Sequence, residues 1–215
     1  MRGFLAAIFG IAAATQPVLG HGLPDKRIVD AVSDLSQRDA VAIAAARRGL
    51  REGPGTGMFD ELPADMRSFA IIAASMEASG RLVSLDWKET QDEAAAQLIA
   101  LFARAGVRDI DVAARIAQLV AQDAGSGVGI AYVAFREVAE AHGLRIVGLN
   151  ADSDMFHFAL TSRGHAERWS GVRLGPNQYV EDSDWQFAGE LEAAGITPRS
   201  TAHPAQSVRP VPAPR

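Results

Sequence analysis

The chain has no cysteine, which excludes thiol catalysis, zinc fingers and disulfide scaffolds. Nor does any apolar run approach the roughly 20 residues needed to span a bilayer; Gly3 to Ala14 is too short, so no stable membrane insertion is expected. No internal repeat is visible. The glycine-rich stretch Gly53-Pro54-Gly55-Thr56-Gly57 lacks the following lysine of a phosphate-cradling loop, so it reads as an ordinary loop. Basic charge is also in deficit. The formal net charge is -5, and between His21 and Ile196 there are 17 lysines and arginines against 26 aspartates and glutamates, a net of -9. An acidic body of this kind repels phosphate backbones, which disfavours nucleic acid and favours a basic protein partner.

What is present suits one ordinary globular domain: 215 residues, 48% hydrophobic and 22% charged, enough for a core that needs no metal or disulfide. Met1-Arg2, the apolar run Gly3 to Ala14, the breaker Gln16-Pro17 and the small residues up to Gly20 follow the layout of a secretory signal. Residues 1–20 are therefore expected to be a signal peptide and the mature protein periplasmic or secreted. The alternative is an N-terminal helix packed on the core of a cytoplasmic protein. From Pro198 onward lie five of the ten prolines and almost no large apolar side chain, so residues 197–215 are expected to form a disordered Pro-rich tail. Residues 24–196 are the expected domain.

Within it, Ile28, Val32 and Leu35 keep helical spacing, and Val41 to Ala46 continue with strong helix formers up to Gly49. Pro63 to Ser79 predicts a helix with Phe69, Ile72, Ala73 and Met76 inward and Gly80 beyond its end. Leu82 to Trp87 predicts a strand with Val83, Leu85 and Trp87 on one side. Thr90 and Glu93 form a capping box for a helix to about Ala105. Asp109 or Asp111 caps another to about Ala124, with Val112, Ile116, Leu119 and Val120 inward; a third runs from about Val128 to His142. Later, His165, Glu167 and Arg168 read as a loop, Trp169 and Val172 to Leu174 as a short strand, and Gly175-Pro176-Asn177 as a turn. Asp182 or Ser183 would cap a last helix through Trp185, Phe187 and Leu191, where acidic residues complement the helix dipole.

Leu144 to Leu160 predicts a β-hairpin. If Ala151 to Asp154 is a four-residue loop, Leu149 faces Phe156 and Val147 faces Phe158, and one face carries Val147, Leu149, Phe156, Phe158 and Leu160. The same segment offers a metal or hydrolytic site from Asp152, Asp154 and His157, with Asp86 as a further candidate. Strand alternation opposes that reading, because His157 falls on the face away from the aspartates, and magnesium or calcium would need more oxygen ligands. Two other readings of His157 are an acid–base couple with Asp86 or Glu89 and a structural histidine on a half-covered sheet face. Trp87 and Glu89 are candidates for lining a binding groove.

Leu85-Asp86-Trp87-Lys88-Glu89, the helix that follows, and Asp152-Ser153-Asp154-Met155-Phe156-His157-Phe158 together resemble a bacterial family of small acidic proteins known only as a domain of unknown function. The resemblance covers Leu82 to Leu160. It implies an α+β fold and brings no assigned catalytic residues. The combined expectation is a single α+β domain, several helices on a small, mostly antiparallel sheet, with flexible termini. Its expected role is that of a non-enzymatic binding protein, in one form an immunity-like protein that blocks a basic partner. The alternative is a small hydrolase or metal-dependent enzyme using Asp152, Asp154 and His157. No cofactor is implied, and the sequence is silent on oligomeric state.

Overall fold

A computed structural model describes residues 22–55, 59, 61–151 and 153–199. The expected signal peptide, the tail beyond Arg199 and Asp152 lie outside the described residues. The first helical stretch is two helices, α1 (Asp25–Leu35) and α2 (Ala40–Glu52). Gln37 and Arg38 between them adopt left-handed backbone, with φ of 57° and 62°, which ends α1. Asp39 then caps α2, its carboxylate accepting the amides of Val41 and Ala42 and an Arg81 guanidinium N–H at 3.1 Å. Gly49 does not stop α2; it packs against Ile71, and the helix runs on to Gly53, whose φ of 95° suits the C-terminal end.

A 3-10 turn at Ala64–Met66 leads into α3 (Arg67–Ala78), which buries the expected Phe69, Ile72, Ala73 and Met76. β1 (Leu82–Asp86) follows. The Thr90–Glu93 capping box forms as expected and starts α4 (Gln91–Arg104). α5 (Ala113–Ala121) is shorter than its periodicity suggests, and Val120 is 46% exposed instead of inward. α6 (Gly127–Ala141) is capped by Ser126 and buries Tyr132, Phe135 and Ala139. β2 (Leu144–Asn150) and β3 (Met155–Ser162) form the hairpin.

His165, Glu167 and Arg168 lie on a helix, α7 (Arg163–Trp169), instead of a loop. Ser162 caps it, and Asp34 of α1 anchors it by accepting the Arg168 guanidinium and the Trp169 indole N–H, each at 2.9 Å. The short strand expected at Val172 to Leu174 reduces to a single bridge between Arg173 and Tyr179. The strand is β4 (Tyr179–Asp182), unmarked by any alternation. Asp182 caps a 3-10 turn at Ser183–Trp185, and a short α8 (Ala188–Ala193) ends the domain.

The four strands form one antiparallel sheet in the order β1-β3-β2-β4. It is covered on both faces. Ile146, Phe158 and Leu160 join one apolar cluster with α4, α5, α6 and α8. Val147, Leu149 and Ala159 join a second with α1, α2, α3 and α7. The hairpin register follows from this and corrects the expected one. Val147 faces Ala159 and Gly148 faces Phe158, one residue off the pairing that would gather every large side chain on one face. That pairing assumes a single buried face; with two, each face takes half the set.

Asp184 is fully buried between the end of β4 and α6. Its carboxylate accepts the Tyr132 hydroxyl at 2.6 Å, two Arg136 N–H groups at 2.9 and 3.0 Å, and the backbone and side-chain N–H groups of Arg199 at 2.7 and 2.9 Å. Arg199, which the sequence assigns to the tail, also reaches Asp182 and Glu140, fastening the chain beyond α8 to α6. Burial alone would raise the Asp184 pKa, but the hydrogen bonds from Arg136, Arg199 and Tyr132 hold it below the ordinary value. The same pocket drives the Tyr132 phenol well above its usual range, through burial first and then the neighbouring carboxylates.

Removing one partner of such a pair leaves the other charged and buried. Asp184→Ala should therefore lower the unfolding free energy in urea by about 3–5 kcal/mol, while Val41→Ser, at a 60% exposed helix position, should stay within about 0.5 kcal/mol. A loss below about 1 kcal/mol for Asp184→Ala would show that the network does not hold the C-terminal elements in place.

Candidate functional site

At the end of β1 the chain turns through Asp86-Trp87-Lys88-Glu89 into α4, and its own side chains fix that turn. Asp86 accepts the Lys88 amide at 2.9 Å, and Glu89 accepts the Asp86 amide at 3.0 Å and the Gln97 side chain at 2.8 Å. The Trp87 amide donates to the Asp154 carbonyl, joining this turn to the tip of the β2–β3 hairpin. Two segments singled out separately in the sequence thus meet at one end of the sheet. Trp87 is not inward with Val83 and Leu85. It lies beyond the strand, 52% exposed, with Lys88 Nζ 5.2 Å from its ring. Asp86, Ser153 and Asp154 are exposed beside it, and Glu89 is half-buried.

His157 lies apart from this surface. It is 3% exposed and faces Ser84 across the β1–β3 pairing, whose hydroxyl is 2.8 Å from Nδ1. The rings of Phe59 and Phe69 flank the imidazole at 5.5 and 6.1 Å. Burial pushes its pKa down to about 4, so at neutral pH it is an uncharged partner of Ser84. The face it occupies is fully covered, not half-covered. No couple forms with Asp86 or Glu89, whose carboxylates serve their own turn and Gln97. A serine hydroxyl on an imidazole is also the start of a nucleophile–base pair. Here the ring is enclosed by aromatics, and among the described residues no carboxylate orients its other nitrogen. Among the described residues, likewise, no three His, Asp or Glu side chains gather into a metal-holding group.

Sequence reasoning missed Glu181. It lies in β4 opposite Gly148, 1% exposed, and accepts the Asn150 amide at 3.2 Å and the Trp185 indole N–H at 3.0 Å. Gly148 makes room for it: a Cβ there would come within 2.7 Å of Glu181 Oε1. Burial raises the Glu181 pKa to about 7, against the lowering effect of its two hydrogen bonds. A cavity of about 30 Å³ lies between Glu181, Gln186, Asn150, Met155 and His157, room for about one water. The signal in the sequence is the lone glycine inside an apolar strand, which marks a close approach by a neighbour.

The two buried titratable groups oppose each other. Histidine titrates near 6.5 in the unfolded chain and at about 4 here. Between those values the unfolded chain binds the extra proton. The His157 contribution is thus complete above about pH 6.5 and lost as pH falls toward 4. Glu181 moves from 4.5 to about 7, so its contribution is complete below about pH 4.5 and lost as pH rises through 7. Over the shared window the slopes cancel. Relative to the parent, Glu181→Gln should gain thermal stability as pH rises from about 4.5 to 7, and His157→Gln should lose it from about 4 to 6.5. Melting temperatures across this range test both signs, and two flat difference profiles would mean that neither group is perturbed by burial.

A model of one protein family matches residues 23–176, from the start of α1 to the turn before β4. The matched span contains Trp87, the hairpin and His157; Glu181, Asp184 and Arg199 lie beyond it. No curated protein and no solved structure matches the chain. The span extends well past the two motifs on which the sequence resemblance rests and takes in most of both helical layers, so the chain belongs to the family described as a domain of unknown function, DUF6630.

Proposed function

We propose that this protein is a non-enzymatic interaction protein whose acidic surface engages a basic protein partner, with Trp87 as an anchor. The observation that carries this reading is the 52% exposure of Trp87 at a turn held rigid by Asp86 and Glu89 and tied to the hairpin tip. An exposed tryptophan on a fixed turn offers a large contact area at little ordering cost, and tryptophan is enriched among residues that dominate binding energy. Asp86 and Asp154 are exposed at the same turn and hairpin tip, with Lys88 over the Trp87 ring, and the body carries a net charge of -9. Charge of this kind speeds encounter with a basic partner and rejects an acidic one. An immunity-like protein that blocks a basic partner is one form of this reading, and its support is the charge.

The test is capture from an extract of the source organism on immobilised full-length protein, at low and raised salt, beside a Trp87→Ala surface. The expected result is a basic protein retained in stoichiometric amount by the parent, weakened by salt and lost from Trp87→Ala by roughly tenfold or more. Retention of no basic protein at low salt, or equal retention by both surfaces, would sink the proposal. Trp87→Ala should leave the melting temperature nearly unchanged, since the side chain is exposed.

A further inference from the structure

Four large apolar side chains are exposed among the described residues: Val41, Trp87, Ile99 and Val120. Two of these, Ile99 on α4 and Val120 on α5, stand on opposite lips of one trough of about 630 Å³ between the helices. Ala95, Val112 and Ile116 are buried in its lining, and the small, exposed Ala96, Ala113 and Ala117 stand beside them. Small side chains leave the space between the helices unfilled. α5 buries Ile116 and Leu119 against the core, and Ala113, Ile116, Ala117 and Val120 line the trough.

The charge of the trough has one sign. Asp92 and Asp111 line it; neither takes part in an ion pair among the described residues, although the Asp111 carboxylate accepts the Ala113 amide at 3.2 Å. Arg115, the arginine of α5, is drawn away by Glu137 of α6, at 2.7 and 3.1 Å, and by Gln118. An apolar floor with carboxylates outside any ion pair fits an amphipathic segment that presents apolar side chains downward and cations to the rim. The trough is open along one side. A small molecule is ordinarily enclosed over most of its surface, whereas a helix laid into a groove leaves its outer face in solvent.

We propose that the α4–α5 trough is a docking groove for a basic amphipathic helix of the partner. This inference rests on the acidic-surface reading above and adds to it a second contact, separate from Trp87. Ile99 and Val120 flank the apolar face of the bound helix, and Asp92 and Asp111 meet its lysines or arginines.

The probe is a fluorescein-labelled synthetic helix of about 18 residues, some five turns, with leucines at helical spacing and lysines elsewhere. A leucine–glutamate helix of the same pattern is the control. Titration of the full chain at low salt is read by anisotropy. The expected outcome is saturable binding of the lysine helix and none of the glutamate helix. Ile99→Arg and Val120→Arg should each weaken binding by roughly tenfold or more, with melting temperatures retained because both positions are exposed. Trp87→Ala should bind the helix like the parent.

If the lysine helix is lost from Trp87→Ala but not from the lip variants, the groove inference falls and the acidic-surface reading stands. Absence of binding, or equal binding of both helices, overturns the groove whatever the capture experiment returns. Should sedimentation show parent dimers that become monomers in Val120→Arg, the groove belongs to a second copy of the chain and this proposal fails.

Discussion

Neighbouring residues of the hairpin strands enter different cores, because the sheet is covered on both faces. Val147 packs among α1, α2, α3 and α7, while Ile146 beside it packs among α4, α5, α6 and α8. This double burial dictates the register of the hairpin, the enclosure of His157 and the need for Gly148 opposite Glu181. At about 25 cal/mol per Å² of apolar surface, each buried aromatic or branched side chain contributes roughly 1.5–3 kcal/mol. Such anchors outweigh any preference of the turn between the strands, so turn length adapts to the register and not the reverse.

The helices were largely legible in the sequence and the sheet only partly. Periodicity and capping are local signals, and Thr90-x-x-Glu93 and Ser126 act where the chain places them. Whether a strand has one buried face or two is not local: Val147 and Phe158 would suit either register, and the second helical layer decides. β4 stayed hidden for a related reason. Tyr-Val-Glu-Asp does not alternate, because Glu181 is buried beneath the space left by Gly148. Arg199 reads as part of a proline-rich tail until Asp182, Asp184 and Glu140 are brought together by the fold. Of the candidate site, the joining of the Trp87 turn to the hairpin was unreadable from spacing. The mismatch of His157 with the acidic turn was already implied by strand alternation.

The acidic residues divide by the work they do. Asp34, Asp39 and Asp184 tie helices to one another or to the sheet through buried or half-buried arginines. Such pairs contribute chiefly by matching charges that would be costly to leave alone, and only modestly by net attraction. Asp86 and Glu93 organise the turn and the start of α4 through backbone amides. Asp92, Asp111 and Asp154 remain outside these networks of ion pairs. Part of the negative charge left outside ion pairs thus lies beside exposed apolar side chains, Asp92 and Asp111 at the α4–α5 trough and Asp154 at the Trp87 turn.

That coincidence bears on why the exposed groups persist beside a well-filled core. Exposed apolar side chains occurring singly need no explanation. Ile99 and Val120 are not single in this sense: they belong to separate helices and line one shared trough. Trp87 stands on a turn that hydrogen bonds of Asp86 and Glu89 hold with its side chain outward, the opposite of what burial would favour. The proposed recognition of a basic partner would use both features: Trp87 on a turn bound to the Asp154 carbonyl, and a trough whose lining includes Asp92 and Asp111.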